Sequence, residues 1–157
     1  MQDEVFGNLD YYDGCWERKY DFKFFGMEQT VKLMVYVDEE EPIEQIQYDS
    51  FEKFQSSLES ISQLIEKDLF DYYCNERREL GYEAAPSQQY PEISDFSELL
   101  QMIKLIGIVV PYTQVCEALE GRVIGLLFDC SWDKEFGLGI QLVNERIEEI
   151  GYQDVAL

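Results

Sequence analysis

Two hydrophobic periodicities divide the chain. From Cys15 to Phe24 the residues alternate: Trp16, Arg18, Tyr20, Phe22 and Phe24 share one side, and Glu17, Lys19, Asp21 and Lys23 the other. A period of two with one charged face predicts a half-buried strand, and Arg18 alone breaks its apolar side. Thr30–Val37, TVKLMVYV, is equally strand-prone. Glu4–Asp10, carrying Val5, Phe6 and Leu9, predicts a shorter strand, with a turn at Asp13-Gly14 and a short connection at Gly26-Met27-Glu28. Together these segments predict an antiparallel meander.

After Val37 the period changes. Asp38, Glu39, Glu40 and Glu41 precede Pro42, and carboxylates before a proline suit the positive end of a helix dipole. From Ile43 an apolar stripe follows, through Ile46, Phe51, Phe54, Leu58, Ile61, Ile65, Leu69 and Tyr72, spaced mostly by three or four residues. It predicts one long helix, with a break near Asp49-Ser50 where Ser50 would cap a second segment. Gly81 stops it. Gly81–Ile93, with Pro86 and Pro91, is loop-like, and Ser94 or Asp95 caps a short helix that turns Leu99, Leu100 and Met102 inward. Strands are then predicted at Ile103–Val110, with Gln114–Ala118 as an extension, and at Arg122–Asp129. Gly139–Val143 and Arg146–Ile150 predict a hairpin across Asn144-Glu145, and the final YQDVAL a tail pairing at a sheet edge. Strands segregated from helices predict an α+β fold: an antiparallel sheet of about six to seven strands, one long helix on a face and a short second helix. No linker composition interrupts residues 1–157, which are expected to form a single domain.

Composition narrows what such a fold does. Hydrophobic residues make up 46% of the 157, enough for a packed core. No apolar run reaches the roughly 18 residues of a membrane span, and MQDEVF lacks the basic and apolar regions of a signal peptide. The four cysteines, Cys15, Cys74, Cys116 and Cys130, form no CxxC pair and are expected as reduced thiols in a cytoplasmic protein. The net charge is −21, beyond the magnitude of roughly 2–8 that solubility needs. That field repels nucleic acid and anionic membranes and attracts basic proteins and metal ions. Histidine is absent, which removes Ser–His and Cys–His hydrolysis and histidine-ligated zinc. No cofactor motif is present: Gly137-Leu138-Gly139 matches neither phosphate-loop nor dinucleotide patterns, and its glycines are expected to serve positive φ or a bulge.

The candidate residues are therefore carboxylates and aromatics. Asp129, Asp133 and Glu135 flank one turn and have two readings beyond a turn built by Asp133: an oxygen-ligated metal site or a carboxylate pair. Their spacing is not that of an EF-hand. Trp132 either faces a partner or closes the sheet, and Trp16 is expected to be structural. Asp38–Glu41 is the densest acidic run. Eleven tyrosines, among them Tyr11, Tyr12, Tyr72, Tyr73, Tyr82 and Tyr90, lie among acids, a composition suited to holding arginine and lysine.

The C-terminal third, IGLLFDCSWDKEFGLGIQLVNERIEEIGYQD, resembles a family of bacterial domains of unknown function. Their pattern is an apolar strand, then Trp-Asp-x-Glu-His-Gly with a small-apolar-glycine continuation, and a final Gly-x-x-Asp. Trp132, Asp133, Glu135, Gly137, Gly139, Gly151 and Asp154 occupy the matching positions, and FGNLDYYDGCW and the long helix fit the same layout. Phe136 stands where the family usually has histidine, which removes any histidine-dependent role. The resemblance implies a small cytosolic bacterial protein without an established enzymatic activity, of the kind encoded beside toxins as immunity partners. Charge and resemblance together lead to a non-enzymatic acidic protein that neutralises a basic toxin domain, with Asp38, Glu39, Glu40, Glu41, Trp132, Asp133 and Glu135 as the contact set. The alternatives are a DNA mimic inhibiting a DNA-binding protein, or a divalent-metal-binding protein or enzyme.

Overall fold

Alternation in the first forty residues becomes three antiparallel strands, β3 (Asp10–Tyr12), β4 (Cys15–Phe24) and β5 (Met27–Val35), preceded by a small hairpin of β1 (Gln2–Asp3) and β2 (Gly7–Asn8). The computed structural model describes residues 1–83 and 87–157; Pro86 of the predicted loop lies outside the described residues. The expected Glu4–Asp10 strand is instead split, because Phe6 and Leu9 are both fully buried and the segment must bend to seat them. Arg18, on the apolar side of β4, donates through Nε to the Phe6 carbonyl and lies 5.2 Å from the Tyr20 ring centroid. Its charge thereby stays at the rim while its stem covers the core.

The stripe after Ile43 forms two helices, α1 (Gln45–Ser56) and α2 (Leu58–Glu79), rather than one. The break falls at Ser57, not at Ser50. Ser50 is buried inside α1, donating to the Ile46 carbonyl (2.7 Å) and accepting from the Val123 amide (3.2 Å). The stripe runs unbroken across the joint, since Phe51, Phe54, Ile61, Ile65, Leu69 and Tyr73 are all buried, so apolar spacing alone does not register the break. Tyr73, not Tyr72, carries the stripe into the last turns. Asp38–Pro42 stay outside α1, whose N-terminal cap is Glu44.

A helical crossover, closed by α3 (Phe96–Leu100) with Asp95 capping through the Glu98 amide, leads to β6 (Ile103–Val110). β6 lies parallel to β5, with Val35 opposite Val110, so the sheet is mixed rather than purely antiparallel. A chain that leaves one end of a sheet and returns through helices enters at the other end, which makes the pair parallel. Gln114–Ala118 do not extend the strand. They belong to α4 (Thr113–Leu119), which follows Pro111 and ends on a left-handed Glu120. β7 (Val123–Cys130), β8 (Leu138–Val143) and β9 (Arg146–Gly151) complete a seven-stranded sheet in the order β3-β4-β5-β6-β7-β8-β9. The predicted hairpin across Asn144-Glu145 is present, with both residues at positive φ as a two-residue hairpin turn requires.

Helices α1 and α2 cover one face of this sheet and build the main core with Leu33, Val35, Ile108, Val110, Leu126, Phe128 and Ile140. On the other face the C-terminal segment does not pair at an edge. It forms a 3-10 helix, Gln153–Ala156, that lies across β7 and β8 and seals a small cluster with Val109 and Leu127. Among the described residues, no helix is long and apolar enough to cross a membrane.

Candidate interaction surfaces

The turn between β7 and β8 holds the motif residues, and the structure separates them sharply. Trp132 is 4% exposed. Its ring meets Tyr73 edge to face at 5.0 Å, and its carbonyl accepts from the Gln89 side chain at 2.6 Å. An indole so enclosed reaches no partner without unfolding the turn, so Trp132 leaves the expected contact set and joins the core. Tyr73, Tyr90 and Tyr82 continue the stack, with centroids 6.2 Å and 5.0 Å apart. Trp16 is also structural: half-buried, edge to face with Tyr11 at 5.1 Å, its buried Nε1 unpartnered among the described residues.

Asp133 holds the turn. Its carboxylate accepts from the Phe136 amide at 3.0 Å, and its carbonyl accepts from the Gly137 amide at 3.0 Å. Asp133→Ala is expected to lower stability by about 1 kcal/mol, and Asp133→Asn, which keeps the acceptor, by much less; thermal denaturation of both variants checks this. Gly137 has φ +64°, the positive value anticipated for it, whereas Gly139 serves close approach, because a Cβ there would lie 2.4 Å from the Tyr152 carbonyl oxygen. Glu135 is exposed beside Lys134 and Phe136. Asp129 is exposed on β7, in register with Lys104 of β6. Among the described residues, no three His, Cys, Asp or Glu side chains gather as a metal ion would require. All four cysteines are free, and burial pushes the Cys130 thiol up to about 11, away from nucleophilic chemistry.

Asp38–Glu41 lie elsewhere. They follow the end of β5, whose Val35 neighbours Val110 at the end of β6, while the Trp132 turn follows Cys130, opposite Ile103 at the start of β6. The length of β6 therefore separates the two groups, roughly 25 Å at about 3.3 Å per residue. The expected contact residues are not one patch but two, at opposite ends of the sheet.

The β5 end has its own character. Asp38, Glu39, Glu40 and Glu41 are all exposed, and the Glu41 amide closes their turn on the Asp38 carbonyl at 2.9 Å. The exposed Tyr112 has its hydroxyl 3.4 Å from the Asp38 carboxylate and 3.5 Å from the Gly14 carbonyl, so it ties the acidic turn to the β3–β4 turn with its Asp13. Partial desolvation and then the Asp38 charge hold the Tyr112 phenol above its ordinary value. Tyr36 packs beside it at 5.6 Å, and Tyr12 is 66% exposed next to that turn. No lysine or arginine occurs between Lys32 and Lys53. Tyr112 escaped notice in the sequence because the segment around it looks like strand; only Pro111 hinted that the chain leaves the sheet there.

A family model described as a domain of unknown function (DUF6985) matches residues 5–157. The chain belongs to that family. No curated protein and no solved structure matches it.

Proposed function

We propose that this DUF6985 domain is a non-enzymatic acidic binding protein that sequesters a basic protein, acting as an immunity protein against a cationic bacterial toxin domain. The observation that carries this reading is the state of the carboxylates. The chain has 33 acids, and among the described residues three ion pairs form: Lys32–Glu17, Arg78–Glu83 and Arg122–Glu145. The charge is thus left facing outward instead of being neutralised within the fold, and it is densest beside exposed tyrosines at the β5 end. Such a surface speeds encounter with a cationic partner and places phenol rings where lysine and arginine stems pack. The densest acids, Asp38–Glu41, form a cluster at one turn and not an even row, which favours protein binding over imitation of DNA.

The test is binding to a cationic toxin domain, taken from a neighbouring reading frame that encodes one, measured at rising salt. Affinity is expected to fall by more than about tenfold between low and moderate salt, with the loss mainly in the association rate. Replacing Asp38 by Asn and Glu39, Glu40 and Glu41 by Gln together is expected to slow association about tenfold while leaving the fold intact. Affinity that does not change with salt would overturn the reading.

A further inference from the structure

Two aromatic side chains at the Trp132 end have no role in the core or in the acidic turn. Phe136 and Tyr152 are each 52% exposed, and their rings lie 5.2 Å apart at 34°. They come from different segments and are joined through the main chain, because the Gln153 amide donates to the Phe136 carbonyl at 3.1 Å. The Gln153 side chain then donates to the Phe128 carbonyl at 2.9 Å. Gly137 leaves space for this arrangement, since a Cβ there would lie 2.4 Å from Gln153 Nε2. The backbone beneath the pair is therefore pinned and the two rings lie in solvent, unlike the buried Trp132 only four residues earlier. Two rings fixed together and left uncovered are the kind of anchor that dominates protein interfaces, with little ordering left to be lost on binding.

The ground around the pair is negative. Glu135 is exposed and Asp133 half-exposed in the same turn, and Asp154 lies two residues after Tyr152. Glu76 stands nearby on α2: burial and then Glu76 and Tyr152 raise the Tyr72 phenol, and Tyr90 feels both Asp133 and Glu76. Burial and the neighbouring Glu79 also raise the Glu76 carboxyl above its usual range. Against these acids stand Lys134, exposed in the turn, and Arg77, whose Nε is already bonded to the Tyr90 carbonyl at 2.8 Å.

We propose that the Phe136–Tyr152 pair, with Asp133 and Glu135 in the same turn, is the docking point for an arginine side chain of the basic partner. This rests on the reading above and adds to it a residue type and a second contact end. An aromatic face rimmed by carboxylates matches a guanidinium better than an ammonium. The guanidinium is planar and weakly hydrated, stacks on rings, and keeps donors free at its edge for carboxylates.

Hexa-arginine and hexa-lysine peptides, equal in charge, separate the two levels of the proposal. At about 50 mM salt, where the screening length is roughly 14 Å, calorimetric titration is expected to show both peptides binding, with hexa-arginine several-fold tighter. Phe136→Leu with Tyr152→Leu keeps apolar bulk and removes both rings at exposed positions. With an unchanged melting temperature, this variant is expected to lose the arginine preference and bind both peptides alike, while its salt dependence stays that of the wild type. If the variant retains the preference, or the wild type shows none, arginine docking on the ring pair is wrong and the charge-based reading stands. If neither peptide binds the wild type, both fall.

Discussion

Gly125→Val is expected to destabilise the fold by about 2–3 kcal/mol, although valine is the better strand residue. The reason lies across the sheet. A Cβ on Gly125 would lie 1.9 Å from the Ala156 carbonyl oxygen, and that atom belongs to backbone, not to a side chain that could swing away. Gly125 is buried in β7, between β6 and β8, so the strand cannot give. The 3-10 helix Gln153–Ala156 must lift instead, uncovering Ala156 and the Val109–Leu127 cluster. Urea denaturation measures the loss, and amide exchange at residues 153–157 shows where it arises. A chain shortened before Gln153 supplies the control. There the same substitution is expected to cost little, and an equal cost in both backgrounds would show that the close approach is not the cause.

Gln47→Leu is expected to lose about 2–4 kcal/mol, read as a lower denaturant midpoint at unchanged slope. Gln47 is 1% exposed on the first turn of α1 and makes three links. Its Nε2 donates to the Tyr36 and Pro111 carbonyls, both at 2.9 Å, and its Oε1 accepts from the Glu44 amide at 3.1 Å. One side chain thus fastens the helix start to the chain where it leaves β5 and β6, the parallel pair on which the crossover depends. Leucine fills similar volume but leaves two carbonyls and one amide without partners in a dry site. Each unpaired buried group costs about 1–3 kcal/mol before relaxation. A loss below about 1 kcal/mol would mean that these groups find other partners.

Neither residue could have been singled out from the chain itself. Gln47 sits in a polar-looking helix start, and its partners are carbonyls, which every residue carries. One of them belongs to Pro111, 64 positions away. Gly125 stands in an apolar run where a glycine looks like a weakness in a strand, and the atom that requires it is thirty-one residues further on. The same limit explains Trp132. A tryptophan beside a turn has the same local pattern whether it points outward or inward, and what encloses it here is Tyr73 from α2 and Gln89 from the loop after it. Phe136, two residues beyond the turn's Lys134, took the exposed place instead.

What the chain alone determined is what local periodicity and composition encode. Alternation set the faces of β4, strand propensity placed β5, the turn pairs Asp13-Gly14 and Asn144-Glu145 set two hairpins, and the apolar stripe set which side of α1 and α2 is buried. Asp133 bonding the turn amides was legible because that chemistry spans only three residues. The surplus of 21 negative charges needed no structure at all. The tertiary structure decided everything that depends on residues far apart in sequence. It made β6 parallel to β5, closed the open face of β7 and β8 with the C-terminal 3-10 helix, and placed Asp38–Glu41 and the Asp133 turn at opposite ends of the sheet. The physical reason is that periodicity records that a face is buried, while the partner that buries it is chosen by contacts whose loops the chain must first close.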